Sequence, residues 1–302
     1  MIIEKIKRGK RRSYSDKIFH VVDTVILAVL LFVFFWPLWF VLVASFSDAN
    51  AVTTGKVLFW PVNFTLEGYT ELMKYKQLWQ GYANTIFYSV VGTLVNMIMT
   101  ICCAYPLSNK QFLPRKIILY FCMITMYVGG GLIPSYLVVR SLGLLSTRWA
   151  MIIPSALSFY NALVVRAYFM NSIPLELQEA ATLDGANAAQ YLMKVVLHLS
   201  KPVLAVVSLY YFVGHWNDYM TALYYIYDKD LYPLQTVLKN LLFDVTSKMD
   251  ISMDPETVTK LLERQQIMKY SSIIVAMVPV LAMYPFVQKY FVKGVMVGAV
   301  KG

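Results

Sequence analysis

Charged side chains are scarce in this chain, and the scarcity excludes most soluble readings. Only 15% of its 302 residues are Asp, Glu, Lys or Arg, against a hydrophobic share of 58% and a mean hydropathy of +0.56. That balance belongs to a membrane protein. Histidine is nearly missing. His20, His198 and His215 are the whole set, so no H-E-x-x-H pair exists and no metal site is expected. Cysteine is equally rare: Cys102, Cys103 and Cys122 all fall inside apolar runs, where a free thiol behaves as a small hydrophobe. There is no G-x-x-x-x-G-K-[ST] loop, so the chain does not hydrolyse ATP by that route, and no G-x-S-x-G elbow. No catalytic residue and no cofactor of its own is expected. Ionisable residues are missing at membrane depth too, because Asp23, Arg166 and Asp218 sit near the ends of apolar runs. An intramembrane enzyme or an ion-coupled carrier would group such residues at depth. A carrier would often show inverted repeats as well, and no clear repeat is seen.

Long apolar runs are abundant. A bilayer core takes roughly 20 apolar residues per helix. The runs predict spans at Val25 to Phe46, Tyr82 to Leu107, Ile117 to Val139, Trp149 to Met170, Val203 to Tyr225 and Ser271 to Phe291. The fold class expected is therefore all-α, a polytopic membrane protein with six transmembrane helices. Pro37 predicts a kink in the first span. Gly129-Gly130-Gly131 and Pro134 predict an unwound or tightly packed outer half of the third. The first run is too long for a signal-peptide core and lacks a small-x-small cleavage site, so it is read as a retained span.

Charge distribution sets the orientation. Lys5, Lys7, Arg8, Lys10, Arg11, Arg12 and Lys17 crowd the first residues, and Lys110, Arg115 and Lys116 follow the second span. Placing these in the cytoplasm together with Arg166, the segment 171–202 and the C-terminal tail gives roughly 16 basic and 6 acidic residues there, so the whole net charge of +10 lies on one face, as the positive-inside rule predicts. The basic tail also suits anionic lipid headgroups, and no nucleic-acid partner is expected. The organisation expected is a cytoplasmic basic tail (1–18), a six-helix transmembrane domain (19–293) and a cytoplasmic C-terminal tail (294–302). Two outer segments are long, Asp48 to Gly81 and the loop 226–269, the second with short helices near Leu234–Leu242 and Pro255–Gln266. Loops of that length favour contact with an external partner.

The segment 171–202 stands apart from the spans. Pro174 suits a first helical turn, Glu176 and Glu179 suit the positive end of the helix dipole, and Leu177, Ala180 and Ala181 share a face. Asp184-Gly185 offers a stop, because glycine tolerates a left-handed cap. A second short helix is expected from about Ala186 to Leu197. The result is a helix-turn-helix with a small-residue face.

Glu179-Ala180-Ala181 followed by three residues and Gly185 resembles the EAA loop of membrane subunits in bacterial binding-protein-dependent ABC importers. His198 stands where that family usually has proline, and Pro202 lies just beyond. The resemblance continues in Ala104-Tyr105-Pro106-Leu107-Ser108, Gly131-Leu132-Ile133-Pro134-Ser135-Tyr136, Gly143-Leu144-Leu145-Ser146-Thr147-Arg148-Trp149-Ala150 and Gly214-His215-Trp216-Asn217, which look like the oligosaccharide-importing subfamily. The end, Gly298-Ala299-Val300-Lys301-Gly302, is similar to the tail of the maltose importer's smaller permease subunit.

The resemblance implies a type I importer in the bacterial cell membrane, with both termini cytoplasmic. Its partners would be a second permease subunit, two ATPase subunits that bind ATP and Mg, and an extracellular solute-binding protein. It assigns Glu179, Ala180, Ala181, Asp184 and Gly185 to ATPase coupling, and Gly298, Val300, Lys301 and Gly302 to a tail reaching the ATPase. Neutral polar and aromatic side chains suffice for a sugar path, and Asn96, Tyr127, Ser158, Tyr160, Asn161, Trp216 and Asn217 are the candidates. The alternatives are the same machine carrying a non-sugar solute, an ATPase-independent carrier and a membrane scaffold.

Overall fold

The computed structural model describes residues 14–247 and 254–299 and is all-helical across them. In chain order the helices are α1 (Tyr14–Ser45), α2 (Ala49–Thr53), α3 (Glu67–Met73), α4 (Lys76–Ser108), α5 (Arg115–Tyr127) and α6 (Leu132–Ser141). A 3-10 turn at Arg148–Met151 precedes α7 (Phe159–Ser172) and α8 (Leu175–Leu183). Then come α9 (Ala188–Leu199), α10 (Lys201–Asn217), α11 (Met220–Tyr225), α12 (Leu234–Ser247) and α13 (Pro255–Ala299). The chain divides into two compact units, one containing residues 14–71 and 254–274, the other residues 72–247 and 275–299.

In the first unit, α1 exposes apolar side chains on every face from Ile18 to Leu38, the pattern of a helix solvated by lipid. Its last turns fold onto the following segment. Val43, Ala51 and Val57 make a small core under Trp39 and Phe40. Ser45 Oγ and Tyr69 Oη share a hydrogen bond of 2.8 Å, and a Cβ on Gly68 would collide with Ser271 and Ile267 of α13.

In the second unit, α4 is the axis. Its buried residues Gly81, Thr85, Ser89, Gly92, Asn96, Thr100 and Ala104 recur three or four apart, so they form one stripe of small and polar side chains. Lipid supplies no hydrophobic drive between helices, and close backbone approach over small residues replaces it. α10 uses that approach. A Cβ on Gly92 would lie 2.5 Å from His215 Nε2. Higher on α4, Asn84 Nδ2 donates to the carbonyls of Asp230 (2.7 Å) and Tyr232 (3.1 Å), and Tyr88 Oη donates to Leu231 O (2.8 Å). These bonds satisfy the irregular turn ahead of α12.

Three helices are long and apolar enough to cross a membrane, within Ile18–Ser45, Lys76–Ser108 and Gln265–Ala282. Two bent pairs, α5 with α6 (115°) and α9 with α10 (83°), raise the number to five among the described residues. The expected spans at 117–139, 149–170 and 203–225 are thus not continuous helices. Gly129 to Gly131 end α5, and Gly131 takes φ +84°, which only glycine adopts freely. Residues 152–158 are irregular around Pro154, and Ser158 restarts the helix by accepting a bond from the Asn161 N–H. α10 stops at Asn217, and Asp218 Oδ1 accepts from the Thr221 N–H to begin α11. The separate helix expected at Pro255–Gln266 is instead the start of α13, a single 45-residue helix.

Replacing Gly92 with Val should lower stability by about 1–3 kcal/mol, the usual cost of overpacking. Thermal unfolding in mild detergent reads it, and an unchanged midpoint would show that α4 and α10 can part at this position.

Candidate functional site

The site is the segment between α7 and α10. Pro174 is the N-cap of α8 and Glu176 lies in its first turn. The far end closes as a Schellman motif: Gly185 N–H donates to Thr182 O (3.0 Å) and Ala186 N–H to Ala181 O (2.9 Å), with Gly185 at φ +77°. Asn187 then starts α9 with a reciprocal capping box, its Oδ1 accepting from Gln190 N–H and Gln190 Oε1 accepting from Asn187 N–H, both at 2.9 Å. That box is legible in the sequence as Asn-x-x-Gln and was missed there. Glu179, Ala180, Asp184 and Gly185 are exposed. Ala181 faces inward onto the cluster formed by Ala104, Val165, Phe169, Tyr191 and their neighbours. The exposed end of α8 carries Leu183, 89% exposed.

α9 contains a π turn at Leu192–Val196, and the chain bends at Ser200, with Pro202 in the first turn of α10. The bend therefore forms with His198 in place of proline. His198 Nδ1 lies 3.2 Å from Met193 O, a hydrogen-bonding position next to the π turn.

A cleft of about 600 Å³ opens beside α8. The end of α4 and its loop form one wall, including Tyr105 and Lys110; α8 forms the other, including Gln178, Glu179 and Thr182; Tyr191 contributes from α9. Tyr105 Oη donates to Ala188 O (3.2 Å), which ties the walls together. Arg166 Nε donates to Leu107 O (2.9 Å) and holds the end of α4 against α7.

A hydrogen-bonded clamp joins the helices on either side of this segment. Asn96 on α4 donates through Nδ2 to Ser155 O in the irregular stretch before α7, and its Oδ1 lies 2.7 Å from His215 Nε2 on α10. One turn along, Tyr211 Oη shares a 2.7 Å bond with Thr100 and accepts from the Ser158 N–H (3.2 Å). The four-residue spacings of Asn96 with Thr100 and of Tyr211 with His215 carried this pattern in the sequence, where only Asn96 and Ser158 were singled out.

The expected sugar-path residues separate into two groups. Asn96, Asn161 and Trp216 are buried within the subunit. Asn96 is spent in the clamp, and Trp216 Nε1 donates to Ala276 O while its ring stacks on Phe212. In the single subunit these three face the interior rather than an open surface. Ser158 is half-buried and caps α7. Tyr127 (79% exposed), Tyr160 (62%) and Asn217 remain open, and each stands at an end of an interrupted helix. Val300, Lys301 and Gly302 lie outside the described residues, as does the basic tail before Tyr14; Gly298 belongs to the end of α13. Among the described residues no group of three or more His, Cys, Asp or Glu is placed to hold a metal.

Lipid-facing helices, interrupted spans and an exposed helix-turn-helix define a multi-pass membrane transport protein. No family model matches the chain. It is 37% identical over 266 residues to the polygalacturonan/rhamnogalacturonan transport system permease protein YtcP of Bacillus subtilis, covering 88% of this chain and 92% of that one. It is 27% identical over 303 residues to the galactooligosaccharides transport system permease protein GanQ of the same organism, covering 97% and 98%. A crystal structure of a bacterial ABC transporter that imports the acidic polysaccharide alginate contains a chain with a TM-score of 0.83 and 34% identity, covering 94% of this chain and 100% of that one. The chain belongs to the family of sugar ABC transport system permeases.

Two substitutions test the local geometry. Gly185→Val forces a β-branched residue to positive φ and should cost about 1–2 kcal/mol, seen as faster amide exchange across 183–187 in α8 and its cap. Asn96→Ala leaves the Ser155 carbonyl and the His215 ring without their partner and should cost about 1–3 kcal/mol in thermal unfolding.

Proposed function

We propose that this chain is one half of the pore of an ATP-driven importer that moves an oligosaccharide into the cytoplasm. α8 is the element that couples it to an ATPase subunit. The observation that carries the reading is the exposed α8 with its left-handed Gly185 cap, connected in the chain to α7 and, through α9, to α10, helices that the clamp at Asn96 and Tyr211 ties together. A short helix fixed to two membrane helices transmits a push or a rotation to both. Glu179 is exposed for a cation of the ATPase, and Ala180 leaves room for close approach. ATP and Mg would bind the ATPase, two copies of which would serve a pair of permease subunits. The tail Gly298 to Gly302 reaches the same partner by resemblance.

Six crossings follow when α7 and the irregular residues before it complete a span, with both termini in the cytoplasm. Backbone that is not helical at membrane depth needs protein or a water-filled path beside it. That supports Tyr127, Tyr160 and Asn217, at the interruptions, as sugar contacts. The loop 226–269 and its neighbours would face a solute-binding protein. The relatives named for polygalacturonan and alginate suggest an acidic saccharide as cargo.

Glu179→Lys should cut both ATPase co-purification and uptake by about tenfold or more, the scale of one close interfacial charge pair. Membrane insertion should be unchanged. Normal uptake in that variant would sink the coupling role.

A further inference from the structure

The cleft beside α8 has a second wall that the coupling role of α8 does not use. The loop after α4 carries Lys110 there, across the cleft from Glu179. Both side chains are exposed, and neither has a hydrogen-bond or ion-pair partner among the described residues. Each wall also presents apolar surface. Leu183 lies at the end of α8 on one wall, and the ring of Tyr105 lines the other.

The loop is braced from three directions. Arg166 Nε holds Leu107 O, Tyr105 Oη holds Ala188 O, and Asn109 Oδ1 accepts from the Gln111 N–H at 2.9 Å. The bond from Tyr105 to Ala188 links this wall directly to the segment that carries α8. A docked element would therefore meet both walls at a fixed separation. Preorganisation of that kind strengthens binding by lowering the ordering cost of association.

We propose that the loop Ser108 to Gln111 is a second contact for the ATPase subunit, in which Lys110 pairs with a carboxylate of the same ATPase segment whose cation pairs with Glu179. The cleft is then a two-walled socket rather than one docking helix. The inference rests on the coupling role proposed for α8. The lining favours a protein occupant over the alternatives. Unpaired charges of opposite sign on facing walls call for a partner with the complementary pair. Leu183, 89% exposed, adds an apolar side chain to the lining of the same cleft. A single-sign anion such as a lipid phosphate would meet Glu179 as well as Lys110.

The test uses the full-length chain purified in mild detergent from its own host, with its partners. A photo-crosslinking amino acid at position 110 should form an adduct with the ATPase subunit, identified by mass. Lys110→Glu should lower the recovered ATPase about tenfold at ~0.15 M salt, the scale of one interfacial charge pair, and Lys110→Arg should retain it. Full ATPase recovery with Lys110→Glu, and no adduct from position 110, overturns the second contact. If Glu179→Lys loses the ATPase in the same experiment, the coupling role of α8 stands without it. If Glu179→Lys also keeps the ATPase, the coupling role itself falls. Adducts only to the other permease subunit, or loss of the ATPase adduct on adding a saccharide, assign the cleft to a different occupant and overturn the proposal.

Discussion

The close approach of α4 and α10 is the constraint on which the rest of the second unit depends. Two helices in lipid gain nothing by hiding apolar surface from a solvent that is itself apolar, so they are held by contact distance and polar bonds. Gly92 provides the distance. Asn96 and His215 provide the bond, and Asn96 passes it on to the carbonyl of Ser155. One side chain therefore fixes two helices and the irregular stretch that leads into a third. A larger residue at 92, or an apolar one at 96, would change the spacing of all three.

That arrangement also bears on the coupling role proposed for the exposed nine-residue helix α8. α8 alone is too short to be stable in water. It is held at one end by the chain entering from α7, at the other by the Schellman turn, the Asn187 capping box and the packing of Tyr191 and Val196. α7 and α10 are joined again through Tyr211 and Ser158, so in the proposed role a force on α8 would reach both together. The same physics separates the expected sugar-path residues. Asn96 and Trp216 are polar groups in the interior and are consumed by internal partners, as buried polar groups must be. Tyr127, Tyr160 and Asn217 stand where helices are interrupted and are exposed.

Much of this was legible in the residues. Apolar runs located α1 and α4, and the cap at Gly185 followed from Asp184-Gly185 after a helical pattern. The triple glycine 129–131 marked a place where the third run would not be a plain helix. The count of crossings was less legible. Pro154 and Asp218 interrupt apolar runs that composition alone reads as continuous, and composition counts side chains without testing the backbone. The loop 226–269 was read as holding a separate helix at Pro255–Gln266, whereas that stretch is the start of α13, whose polar first turns and apolar later turns share one helical register.

The sequence by itself determined the class of this protein: a membrane chain with a basic first segment, no nucleotide-binding loop, and an Ala-rich helix-turn-helix between apolar runs. These follow from composition, spacing and local caps, which act within a few residues. Only the tertiary structure decided which polar side chains are spent and which are free. Asn96, His215 and Ser155 are far apart in the chain, as are Lys110 and Glu179. Whether such groups meet, face each other across a cleft or stay open depends on the distance between helix axes, and that distance is set by small residues on surfaces that no local pattern pairs.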